Sequence, residues 1–118
     1  MEQLAKDQII KKAYQTGLTA PVDVVPDPTE WGMTQWKENL LTFFGCATDN
    51  LVSKTGGNES MRPEILSAMR EGFKKLVAAQ PYVEVPLNPM ETPPREQALR
   101  IIDLVFKELP LNPHHCTH

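Results

Sequence analysis

Apolar residues recur at spacings of three and four in four stretches of this chain, and prolines separate the stretches. That period matches the α-helix, in which positions i, i+3, i+4 and i+7 share one face. The first stretch, about residues 2–16, places Ala5, Ile9 and Ala13 on a stripe beside Ile10 and Tyr14, with Gly17 positioned to follow the helix end. It reads as a modestly buried arm. The second carries the strongest signal: Trp36, Leu40, Phe43, Phe44, Ala47 and Leu51 line one face, and Thr34 stands at its N-cap position. Just upstream, Asp27-Pro28-Thr29-Glu30 has the chemistry of a separate short turn, with a cap, a proline in the first turn and a glutamate after it.

Lys54-Thr55-Gly56-Gly57-Asn58 breaks the pattern, because two glycines followed by Asn accept the positive φ that ends a helix. A third helix is predicted over about 61–80, with Ile65, Leu66, Met69, Phe73, Leu76 and Val77 as its apolar set. Glu64 lies in its first turn and Lys74 and Lys75 lie late, which suits the helix dipole, and Glu71 and Lys75 are spaced for an i,i+4 pair. A fourth helix opens at Thr92-Pro93 and carries Ala98, Leu99, Ile102, Val105, Phe106 and Leu109 before Pro110 stops it. Glu96 with Arg100, and Asp103 with Lys107, read as surface i,i+4 pairs along it. Between the third and fourth helices, Tyr82-Val83-Glu84-Val85 alternates like a strand for too few residues to build a sheet, so 81–92 reads as an extended connector.

Four amphipathic helices and no paired strands predict an all-α protein: a small irregular four-helix domain with extended Pro-rich connectors. At 118 residues the chain is one domain, residues 1–118, in which about 110–118 form a His/Cys tail. A chain of this length buries roughly two-thirds of its unfolded surface, enough for one modest core.

Charge narrows the function. Twelve Lys and Arg against fifteen Asp and Glu leave a formal charge of −3, without the clustered cations that phosphate binding demands, so no nucleic-acid partner is expected. No apolar run approaches the roughly 20 residues that span a bilayer, and residues Met1–Asp7 carry no apolar segment of signal-peptide type. The expectation is therefore a cytoplasmic protein without a membrane role. Two cysteines, Cys46 and Cys116, are too few for a disulfide framework and lean the same way. Asn58-Glu59-Ser60 fits the glycosylation pattern by chance on that reading.

Candidate chemistry is sparse. Every histidine of the chain stands in the tail, where His114, His115, Cys116 and His118 are donors suited to zinc, copper or nickel. A transition metal there is the one cofactor the sequence suggests, and a metal-binding or metal-delivery protein is one alternative reading. Cys46 sits beside the apolar face of the second helix and reads as a small buried hydrophobe rather than a nucleophile, since no histidine lies near it in sequence. A bond from Cys46 to Cys116 depends on geometry that spacing cannot supply. Both tryptophans fall within six residues, and Trp31 next to Gly32 reads as an aromatic on a turn, placed either to plug the bundle or to anchor in a partner's pocket. Trp31, Met33, Tyr82, Val85 and Leu87 form the candidate partner-binding set. The favoured reading is a non-catalytic helical subunit, accessory or adaptor protein that binds another protein or itself, with a small subunit of an enzyme complex as a further alternative.

Overall fold

The computed structural model describes residues 5–22, 30–80 and 94–110. In these residues four α-helices follow one another with no strand among them: α1 (Lys6–Leu18), α2 (Glu30–Lys54), α3 (Arg62–Ala78) and α4 (Pro94–Glu108). A single 3-10 turn, Glu59–Met61, leads into α3. The all-α class expected from the apolar spacing is what the described residues form. Tyr82, Val85 and Leu87, the short turn at Asp27-Pro28, the Thr92-Pro93 helix start and the His/Cys tail lie outside them.

The start of α1 is fixed by Gln8, whose side-chain oxygen accepts the Ala5 N–H at 3.0 Å. Its end is fixed by Thr19, whose N–H and hydroxyl both donate to the Gln15 carbonyl. Gly17 therefore does not follow the helix as its end signal; it lies within α1 and is buried. The reason is packing. A Cβ on Gly17 would stand 2.2 Å from the Met69 carbonyl oxygen and 2.7 Å from the Phe73 nitrogen, while one on Gly72 would stand 2.3 Å from the Tyr14 carbonyl oxygen. Each glycine thus receives the backbone of the other helix, and α1 and α3 cross at a distance that a side chain forbids. Nor is α1 a modestly buried arm: Ile9 and Ala13 are fully buried. Lys6 pairs with Glu64 at 3.1 Å near the start of both helices, so the two run in the same general sense.

Helix α2 begins at Glu30, ahead of the expected cap at Thr34. Thr34 lies inside the helix, and Trp31 occupies its first turn rather than a separate one. A first helical turn needs no apolar stripe, so the stripe beginning at Trp36 marked where burial starts and not where the helix starts. At its other end the predicted break is present: Gly56 and Gly57 have φ of 80° and 83°, and the Gly57 N–H donates to the Val52 carbonyl. Thr55 donates its hydroxyl to the Val52 carbonyl and accepts the Asn58 N–H at 2.9 Å. Asn58 in turn accepts the Ser60 N–H, which caps the 3-10 turn. The Asn-Glu-Ser tripeptide is a piece of turn chemistry.

The core is aromatic at its centre. The Phe44 ring lies 5.1 Å from Phe73 and 5.0 Å from Phe106, edge-on or tilted in each case, and Trp36 lies 6.3 Å from Phe73. One ring from each of α3 and α4 thus meets Phe44 of α2. Met69, Ile65, Leu40 and Ile102 are fully buried around the cluster. Thr48, 1% exposed, is the one polar residue deep in this region among those described; its hydroxyl donates to the Phe44 carbonyl and touches the Met69 sulfur at 3.7 Å.

Ion pairs close the edges. The Arg62 guanidinium donates to Asp49 on α2 at 2.7 Å and to Glu59 at 2.7 Å, fastening the start of α3 to α2. Asp103 does not pair with Lys107 along α4; it accepts from Arg70 at 2.8 Å and Lys74 at 3.4 Å across on α3. Likewise Glu71 stands 3.7 Å from Arg70 rather than pairing with Lys75. Helical spacing finds partners along one helix and has no access to those across an interface, which is why the Asp103–Lys107 reading fails while Glu96–Arg100, at 2.9 Å, holds.

Candidate functional site

Trp31 is 73% exposed on the first turn of α2, against 3% for Trp36 one and a half turns later. A rigid helix therefore presents an indole to solvent, and of the two roles open to that side chain the plug is excluded for the described residues. Met33 is half-buried nearby in sequence. Leu104, 53% exposed, is a second outward apolar residue that the sequence reading missed. Its signal was available: it lies two positions from Ile102, about 200° around the helix, and so on the face opposite the core stripe.

Two open grooves flank α1. One, about 520 Å³, lies between α1 and α2, with Lys12, Gln15, Thr16 and Thr19 on one wall and Cys46, Asn50 and Lys54 on the other; Phe43, Ala47 and Leu51 supply its apolar surface. The other, also about 520 Å³, lies between α1 and α3 with Ile10, Pro63 and Ala68 framed by Lys6, Glu64 and Glu71. Periodicity alone does not find the first groove, because its walls are flanks of two different helices, α1 and α2, and their juxtaposition is set by tertiary packing.

Cys46 lines the α1–α2 groove and is disulfide-bonded. This corrects the reading of Cys46 as a buried free thiol. Cys116, the other cysteine, lies outside the described residues with His114, His115 and His118. Among the described residues no group of three or more His, Cys, Asp and Glu is arranged to hold a metal. No described helix is long and apolar enough to cross a membrane.

Among the described residues two ionisable groups depart from their ordinary behaviour, and both belong to the ion pairs of the frame. Hydrogen bonding to Glu59 raises the Arg62 guanidinium against the opposing effect of burial, with Asp49 adding to the rise. Partial burial alone would raise the Asp103 carboxyl, but the Arg70 hydrogen bond and the charges of Lys74 and Arg70 outweigh it and hold the group below its usual value. Each shift is explained by ion-pair partners in the frame, Glu59 and Asp49 for Arg62 and Arg70 and Lys74 for Asp103, so neither marks a reacting group.

No protein-family model, no curated protein and no solved structure matches this chain.

Proposed function

We propose that this protein is a non-catalytic helical accessory subunit or adaptor, and that it engages a partner protein through the outer face at the start of α2. The observation that carries the reading is Trp31, a large aromatic held 73% exposed on a regular helix. Indole is the side chain most often found as the energetic anchor of protein interfaces, because it buries a large area and loses little rotamer freedom. On this reading the partner supplies an apolar pocket with an acceptor for the indole N–H.

The test is native mass spectrometry of the protein purified gently from its own source, followed by Trp31→Ala. A complex heavier than one 13.3 kDa chain that dissociates in the variant, with the melting temperature unchanged within about 2 °C, is the expected result. That tolerance reflects the roughly ±0.5 kcal/mol typical of exposed substitutions. A fall in Tm as large as core truncations give would show instead that Trp31 is structural. A complex that survives the substitution intact would place the interface elsewhere.

A further inference from the structure

We propose that the groove between α1 and α2 binds a small amphipathic anion, a medium-chain carboxylate, with its head at Lys12 and Lys54 and its chain along Leu51, Ala47 and Phe43. The proposal uses a different surface from the Trp31 reading and does not rest on it. Its first support is charge. Two lysines line the groove, and no Asp or Glu is among the described residues that do. Asp49, on the same stretch of α2, is engaged with Arg62 at 2.7 Å instead. Among the described residues neither Lys12 nor Lys54 forms an ion pair, whereas Lys6, Lys37 and Lys74 each do. Two ammonium groups without counter-charges, beside an apolar floor, are complementary to a carboxylate that carries an apolar chain.

The directions of the helices set both charges at one end. Trp36 meets Phe73 and Asp49 bonds Arg62, so α2 and α3 run in opposite senses. Lys6 pairs with Glu64, and Gly17 lies against Met69 and Phe73, so α1 and α3 run in the same sense. Helices α1 and α2 are therefore antiparallel. Lys12 is the first α1 residue on the groove and Lys54 the last α2 residue, which puts the two on the same end, with Thr19 and Phe43 marking the other. From Lys54, the row Leu51, Ala47 and Phe43 leads away from the charges along α2. At 1.5 Å per residue it is about 12 Å long. That suits a chain of about eight carbons, whose bonds of about 1.5 Å zigzag to a similar length. The groove's volume, about 520 Å³, falls within the roughly 300–1,000 Å³ of ligand sites.

The polar rim agrees. Gln15 and Asn50 carry carboxamide N–H groups that donate to a carboxylate. The Thr16 and Thr19 hydroxyls already donate to the Lys12 and Gln15 carbonyls, which leaves the head group to the lysines and the amides. Cys46, on the wall, is disulfide-bonded and presents no thiol to the ligand. Lys54 also stands in the last turn of α2, where a cation suits the helix dipole. Lys12 is not in the last turn of α1 and has no such role, so it is the diagnostic residue.

The experiment titrates the full chain with sodium octanoate at low ionic strength and follows the backbone amides by NMR. Saturable shifts at Thr16, Ala47 and Asn50 are expected. Octanol, which keeps the chain and lacks the charge, should bind about fivefold more weakly, and acetate, which keeps the charge and lacks the chain, should not bind measurably. Lys12→Glu should weaken octanoate about tenfold and strengthen octylamine, and salt at about 0.3 M should erode both effects. Equal binding of octanoate, octanol and octylamine would overturn the proposal by showing a cleft without charge selection. So would the absence of saturable shifts, or shifts at Ile10 and Ala68 in the α1–α3 groove instead. Should Lys12→Glu fail to fold, Lys12→Gln, expected to bind octanoate about threefold more weakly, and the salt dependence of the parent decide the same question.

Discussion

Replacing Gly72 by Ala tests the central feature of the fold, the crossing of α1 and α3. In an ordinary helix interior this substitution stabilises by about 1 kcal/mol, because Ala gives up less backbone freedom than Gly. Here the new Cβ would lie 2.3 Å from the Tyr14 carbonyl oxygen and 3.1 Å from the Leu18 nitrogen. Both are backbone atoms of a helix and cannot swing aside, so the helices must separate by about 1 Å to restore van der Waals distance. A radial gap of that size forfeits a quarter to a half of each contact energy across it. Ile9, Ala13, Met69 and Phe73 are all fully buried in the two helices. A loss of roughly one kcal/mol from each of those four, offset by the gain in propensity, leaves a net destabilisation of about 3 kcal/mol. For a chain of this size that lowers Tm by roughly 10 °C. The assay is thermal unfolding followed by circular dichroism, with the exposed Ser53→Ala in α2 as a control that stays within about 0.5 kcal/mol of the parent. Gly17→Ala should act alike, since its Cβ meets the Met69 carbonyl at 2.2 Å. The double variant should cost less than the sum, because one separation of the helices accommodates both methyl groups. A Gly72→Ala protein melting at or above the parent would refute the close crossing.

Other consequences follow from the same contacts. Phe73→Ala removes the ring that meets both Phe44 and Trp36 and is expected to cost about 3–5 kcal/mol in urea unfolding. Thr48→Val should be nearly neutral, within about 1 kcal/mol, because the Phe44 carbonyl that loses the hydroxyl still has the helical N–H expected of a mid-helix carbonyl. Asp103→Asn should cost no more than about 1 kcal/mol, as its pairs with Arg70 and Lys74 are half-exposed. Since the folded-state pKa of Asp103 is depressed, its contribution is present above the unfolded carboxylate value and disappears as pH falls through the lower folded value; acid titration of stability should therefore separate parent from variant at neutral pH and merge them in strong acid.

The buried stripes and the glycine break of this protein were legible in its sequence, whereas the start of α2, expected at Thr34, was not. The stripe Trp36, Leu40, Phe44, Leu51 is buried as its spacing requires, and Gly56-Gly57 breaks the chain with the positive φ that only their lack of a Cβ makes inexpensive. What failed were roles decided between helices. Gly17 carried two meanings, a helix end and a close approach, and only the position of Met69 and Phe73 selects the second. Asp103 had a cation four residues away and two others on α3, and the bundle chose the pair across the interface. For the candidate site the divide is the same: the aromatic character of Trp31 could be read directly, whereas its exposure followed from α2 beginning at Glu30.

The placement of Trp31 bears on how the surface is used. An exposed indole on a loop can turn inward when unoccupied and so has a low-energy alternative to binding; on the first turn of a 25-residue helix it has few. The Phe44 cluster near the middle of α2 and the Lys37–Glu108 pair at 3.3 Å hold that part of the helix against α4, and the orientation of its first turn follows from that packing. Rotation of α2 to bury Trp31 would have to expose Trp36 and Leu40, at 3% and 0%, a loss of several kcal/mol of apolar burial. On the proposed reading the anchor is preorganised, and preorganisation reduces the ordering cost that a partner's binding energy must otherwise offset. Loosening that part of α2 by Phe44→Ala should weaken partner binding beyond the loss expected from the destabilised fraction alone, and titration of the partner at a temperature well below the variant's Tm measures it. Affinity equal to the parent's under those conditions would show that the fixed orientation of Trp31 contributes nothing to recognition.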